Sequence, residues 1–118
     1  MKRRIFLKQA AATAVGTMVF PTVVPSTVFG KNAPSNKINI GQIGFGRIAR
    51  DHDVAETIKF DQARFIAVCD VDKKRLLDGK NHIDSYYAKK TGNNKYSNAK
   101  MYDDYKEMLL NKDIDAVI

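Results

Sequence analysis

Gly44, Gly46 and Ala49 follow an apolar run, Ile38 to Ile43, in the order glycine-x-glycine-x-x-alanine. A first glycine at the end of a strand permits a tight turn. A second lets the backbone approach a pyrophosphate, and a third small residue lets the following helix pack close to the strand. The helix N-terminus then offers amides and the positive end of its dipole to an anion. Gly44, Phe45, Gly46, Arg47 and Ile48 are therefore the candidate contacts of a dinucleotide, with Ala49 as the packing residue. Arg47 either neutralises phosphate charge or is simply a solvated side chain. Asp70 closes the next apolar run, Phe65 to Cys69, twenty-one residues after Ala49. A carboxylate at that place can accept hydrogen bonds from the adenosine ribose hydroxyls. It can also merely cap a strand end, and glycine-rich turns serve flavin, nucleotide-sugar and S-adenosylmethionine folds too. Loop, helix, second strand and acid taken together favour a dinucleotide site. The acid favours NAD, while Lys73, Lys74 and Arg75 keep NADP open.

Those residues need a scaffold, and the pattern after Lys37 supplies one. Ile38 to Ile43 alternates like a strand, with Gly41 expected to leave room for the loop. Arg47 to about Lys59 reads as a helix, with Ile48, Ala49, Ala55 and Ile58 on one face. Ala63 to Val71 is the clearest strand. Asp72 can cap a helix from Lys73 that turns Leu76, Leu77, Ile83 and Tyr87 inward, with Gly79 as a weak point and Gly92 as its stop. Lys100 to Tyr102 suggests a third strand, Asp103 or Asp104 a cap for the helix through Met108, and Ile114 to Ile118 a fourth strand. The βαβαβαβ order implies an α/β fold, a partial Rossmann-type parallel sheet over residues 37–118. Because the last strand is where the sequence stops, the chain reads as an N-terminal fragment, truncated at the C-terminal end of that domain.

The first thirty residues read differently. Lys2, Arg3, Arg4 and Lys8 precede Ala10 to Phe29, a stretch without a charge, while all thirteen acids lie from Asp51 onward. The net charge of +7 therefore owes much to this leader. No basic stripe with interleaved aromatics follows, so nucleic acid is not an expected partner. Arg3-Arg4-Ile5-Phe6-Leu7-Lys8 resembles the twin-arginine export motif. The mild apolar stretch, broken by Pro21 and Pro25, suits such a signal better than a membrane span. A cut after Gly30 would leave residues 31–36 as a linker. The expectation is export, to the periplasm or another extracytoplasmic space, through the twin-arginine machinery. The single Cys69 rules out an internal disulfide and reads as a small buried hydrophobe. His52 and His82 lack metal-ligand partners at suitable spacing, and no metal site is expected. Tyr86, Tyr87 and Tyr96 read as packing or loop residues.

The runs Ile40 to Ala49 and Ala67 to Asp72 together resemble the N-terminal domain of the glucose–fructose oxidoreductase / inositol dehydrogenase (Gfo/Idh/MocA) family. Tyr102-Asp103-Asp104-Tyr105-Lys106-Glu107-Met108-Leu109 and Asp113 to Ile118 extend the resemblance, which spans residues 37 to 118. It implies an NAD(P)-binding Rossmann domain followed by a larger domain for a sugar or polyol substrate, hydride transfer, and a homo-oligomeric full-length protein. It also implies a catalytic lysine in a Glu-Lys-Pro motif and a later Asp/His pair, none of which lies in residues 1–118. No catalytic residue is therefore assigned here. Two alternatives remain at this point: an NAD-dependent glycoside hydrolase of the same family, and a non-catalytic sugar-binding or regulatory module.

Overall fold

The computed structural model describes Gly30 and residues 33–118, so the leader and its expected cleavage site lie outside the described residues. A 3-10 turn at Pro34–Asn36 leads into β1 (Ile38–Ile43). Helix α1 follows in two segments, a π-helical Ala49–Asp53 and an α-helical Val54–Thr57. The remaining elements are β2 (Ala63–Cys69), α2 (Lys73–Thr91), β3 (Lys100–Tyr102), α3 (Tyr105–Leu109) and β4 (Ala116–Val117). The strands form one sheet in the order β3-β2-β1-β4, and every pairing is parallel. This is the central part of a doubly wound, Rossmann-like sheet, whose order reverses beside β1.

Both faces of the sheet are covered. Ile40, Phe65 and Val68 pack with Ala49, Val54 and Ile58 of α1 and with Leu76, Ile83 and Tyr87 of α2. On the opposite face, Ala67 and Cys69 pack with Met108 of α3, and Ile66, Tyr102 and Ile114 close around them. Phe65 and Val68 are three apart, yet they serve one face. The register explains this: Ile40 faces Phe65 but Gly41 faces Ala67, so Ile66 is an extra residue in β2. A bulge of this kind inverts the side-chain alternation beyond it.

Local capping is as the sequence expects. Asp72 adopts an extended conformation and accepts hydrogen bonds from the Lys74 and Arg75 amides at 2.8 and 3.2 Å. Gly92 ends α2 at φ +70°, a left-handed conformation that glycine adopts without the Cβ penalty. Asp104, not Asp103, caps α3 by accepting from Lys106.

Four expectations are corrected. Gly79 does not weaken α2 into two pieces, for the helix is continuous across it. Leu77 is half exposed rather than inward. Ile48 is 58% exposed, and the buried residues of α1 are Ala49, Val54 and Ile58. The Val54 amide bonds back five residues to the Ala49 carbonyl, and this wide turn moves the inward face by one residue. The strand at Ala63 ends at Cys69, and Val71 stands 90% exposed beyond it.

Candidate functional site

The site lies at the carboxyl ends of β1, β2 and β3, where parallel sheets present their loops to ligands. The turn after β1 begins with Gly44 at φ +80°, and its amide donates to the Cys69 carbonyl at 2.7 Å. An L-residue rarely adopts that φ, so the backbone itself requires glycine here. Gly46 differs. It is not among the glycines of positive φ, and a Cβ built on it would meet nothing within 4 Å. Folding alone therefore places no demand for glycine at position 46, and the open space beside its backbone is what a closely approaching ligand would use. The Gly46 carbonyl accepts from Arg50 at 3.1 Å, which starts the helix directly after the loop.

Three side chains hold this turn. Asp70 is buried, and its Oδ2 accepts from the Phe45 amide at 2.8 Å while Oδ1 accepts from the Asp72 amide at 2.8 Å. Each carboxylate oxygen keeps further lone-pair capacity for a hydroxyl donor. Asp70 is thus both the end of β2 and a tie on the glycine loop. Gln42, on the α1/α2 face of β1 and fully buried, donates to the Gly44 carbonyl at 3.1 Å. Its Oε1 has no partner among the described residues. Phe45 is buried against the core, so its ring packs inward, away from the loop's mouth. Arg47 and Ile48 are exposed at the helix start.

A cavity of about 760 Å³ opens beside the loop, lined by Ile43, Gly44, Cys69, Asp70 and Val71 and by residues from the β3–α3 turn. The turn contributes Asp103, Asp104, Tyr105 and Glu107. Four carboxylates face this space, with no lysine or arginine among its described lining residues. The cavity suits an uncharged or donor-rich group such as a ribose better than a phosphate. Burial pushes the Cys69 thiol upward, and Asp70, Asp104 and Asp103 push it further, so the thiol is held protonated and unreactive as expected. His52 is exposed on α1, and His82 packs its ring against Phe45. No cluster of three metal-ligating side chains occurs among the described residues, and none of their helices is long and apolar enough to cross a membrane.

The structure thus brings Gly44, Phe45, Gly46 and Asp70 together, with Arg47 and Ile48 at the mouth of the same turn. It adds Gln42, which the sequence reading does not single out, and Gly79 and His82, which that reading treats only as a weak point of the helix and a histidine without metal partners. Gln42 carried a signal: a polar residue in an otherwise buried strand, two places before the first loop glycine. Gly41 is accounted for differently from the expectation. Its absent Cβ makes room for Met108 of α3, whose Cε would lie 3.0 Å away, not for the loop.

The fold and site define an α/β domain with a partial Rossmann-like sheet and a glycine loop tied to an acid at the end of β2. The chain matches no known family model, and the comparison with curated proteins finds no match. Among solved structures it is similar to the WlbA dehydrogenase of Chromobacterium violaceum, which was crystallised with NADH and UDP-GlcNAcA. The likeness is 27% identity over 86% of this chain, with a TM-score of 0.45. The chain spans 22% of the length of that dehydrogenase.

Proposed function

We propose that this chain binds NAD as the cofactor-holding part of an exported oxidoreductase that moves hydride to or from a sugar or polyol. The observation that carries the cofactor assignment is Gly46: a glycine without a conformational or packing reason, at the head of a helix, beside an acid at the end of the neighbouring strand. Gly44 turns the chain, Gly46 leaves the approach to the backbone clear, and Asp70 accepts the ribose hydroxyls. The α1 N-terminus, with Arg47 beside it, meets the pyrophosphate. When bound, the nicotinamide supplies the hydride chemistry; these residues bind and orient it. The sugar or polyol class comes from the motif resemblance alone, and so does the expectation of a catalytic lysine outside residues 1–118.

The test follows from the open space at position 46. Gly46→Val is expected to leave the melting temperature near that of the parent, because a Cβ at this position meets nothing within 4 Å in the folded protein, yet to abolish NADH binding by calorimetry. NADH affinity unchanged in a folded Gly46→Val protein overturns the assignment. Export rests on the leader's motif: Arg3→Lys combined with Arg4→Lys should retain the protein in the cytoplasm, and normal delivery in a cell-fractionation assay would contradict it.

A further inference from the structure

The glycine loop is gripped from behind by helix α2. The Phe45 ring is buried and lies 5.6 Å, centroid to centroid, from the half-buried His82 ring. Under it passes Gly79, where a Cβ would stand 2.8 Å from Phe45 Cγ and 2.8 Å from Val68 Cγ2. Phe45 Cγ is the root of a ring, not the mobile end of a flexible chain, so a methyl at position 79 must displace the ring or the helix. Glycine is a poorer helix former than alanine, and the close approach to Phe45 gives its presence at position 79 a structural reason. The backbone of the same residue is tied on its other side, the Phe45 amide donating to Asp70 at 2.8 Å. Phe45 is therefore fixed at both its ring and its amide, and it sits between the two glycines of the loop.

We propose that α2 positions the nucleotide loop through Phe45: the ring is a peg seated against Gly79, Val68 and His82, and Gly79 and His82 are positioning residues of the site. The inference rests on the reading of this loop as a dinucleotide site. Preorganising the loop matters because a backbone that must reorder on binding loses affinity to that ordering. Neither Gly79 nor His82 needs to touch the ligand; each acts on where the Phe45 backbone, and with it Gly44 and Gly46, is held.

The experiment compares Phe45→Ala, Gly79→Ala, their combination, and His82→Ala in the intact chain, with two readouts. One is NADH affinity by calorimetry. The other is amide hydrogen exchange at Phe45 and Gly46 without ligand, which reports the loop directly. Phe45→Ala and Gly79→Ala are each expected to weaken NADH by about tenfold and to speed loop exchange by a similar factor. In the double variant the losses should not add, since the peg is already gone. His82→Ala removes a wall of the socket without adding bulk, keeps the test open if Gly79→Ala does not fold, and should show a smaller loss of about threefold. A Gly79→Ala/Val68→Ala double variant is the control for mere helix–strand spacing. Full recovery of affinity and exchange in that control overturns the proposal, as do additive losses in the Phe45/Gly79 pair or unchanged loop exchange in all variants. If the unaltered chain binds no NADH, the cofactor reading fails, while the exchange readout still decides whether α2 holds the loop.

Discussion

Replacing Asp70 with alanine removes two hydrogen bonds and one proposed ligand acceptor in a single step. The Phe45 amide, bonded to Oδ2, is enclosed in the protein, whereas the Asp72 amide, bonded to Oδ1, is only part-buried. A hydrogen bond to a charged acceptor contributes about 1.5–3 kcal/mol, and a buried donor left without a partner costs about 1–3 kcal/mol. Water replaces Asp70 at the Asp72 amide but cannot readily reach Phe45, so the first bond dominates and the expected loss is about 2–3 kcal/mol. For a domain of this size that lowers the melting temperature by roughly 10–20 °C. Asp70→Asn keeps one acceptor oxygen but turns an NH2 toward one of the two amides, and should lose about half as much. For the ligand, losing a charged acceptor of the ribose hydroxyls weakens NADH by about 10–100-fold, at tenfold per 1.4 kcal/mol. ADP-ribose carries the same ribose and should weaken in parallel. Calorimetric titrations with both ligands, run well below the lowered melting point, separate binding from unfolding. A dissociation constant within about twofold of the parent refutes Asp70 as the ribose acceptor. A melting temperature unchanged by Asp70→Ala refutes its tie on the loop.

Other expected outcomes follow from the same geometry. Asp84, buried on α2, accepts from the Asn98 and Ala99 amides at 3.1 and 3.0 Å and pairs with Lys80 at 2.6 Å. Asp84→Ala should cost about 3 kcal/mol, toward the lower end for breaking a buried pair, and a denaturant titration showing less than about 1 kcal/mol would contradict that. Burial, with Arg50 nearby, holds the His82 pKa below its usual value, while Asp51 opposes the shift. The folded state then binds fewer protons than the unfolded one, so the His82 contribution is complete above about pH 6.5 and is lost as pH falls below it. His82→Phe should flatten that part of the stability–pH curve, and an identical slope in the variant would exclude His82 as its source. The four carboxylates around the cavity should make NADPH bind at least about tenfold more weakly than NADH; equal affinities in the same titration would contradict the acidic reading of that space.

What the sequence made legible is what local chemistry decides. Asp72, Asp104 and Gly92 cap or stop helices through bonds and torsions spanning three or four residues, and each signal is written in adjacent letters. The strand runs Ile38 to Ile43 and Phe65 to Cys69 were visible for the same reason. The misplaced residues have other causes. Ile48 was assigned by an ideal 3.6-residue period, but a π-helical turn re-phases α1. Leu77 follows the inward Leu76 and lies off the stripe of Leu76, Gly79, Ile83 and Tyr87 that α2 buries. On β2 the extra residue Ile66 changes which side chains share a face, and no feature of Ala63 to Cys69 announces it. A bulge and a wide turn are responses to packing against the rest of the fold, so a one-dimensional pattern does not contain them.

The glycines make the same distinction within the candidate site. Gly44 needs its left-handed torsion, Gly41 yields to Met108, Gly79 yields to Phe45 and Val68, and only Gly46 is left without a reason inside the fold. A motif read from sequence treats Gly44 and Gly46 alike, as spaced small residues, and cannot see that one serves the turn and the other serves the space outside it. Gln42 sharpens the point from the opposite side. A buried amide in a strand interior costs free energy unless it is bonded, and this one spends its donor on the Gly44 carbonyl while leaving Oε1 without a partner among the described residues. Leucine would satisfy the strand's apolar pattern better. A glutamine here makes sense where the orientation of the Gly44 peptide matters more than the strand's own stability, and that is the trade the proposed nucleotide loop would require.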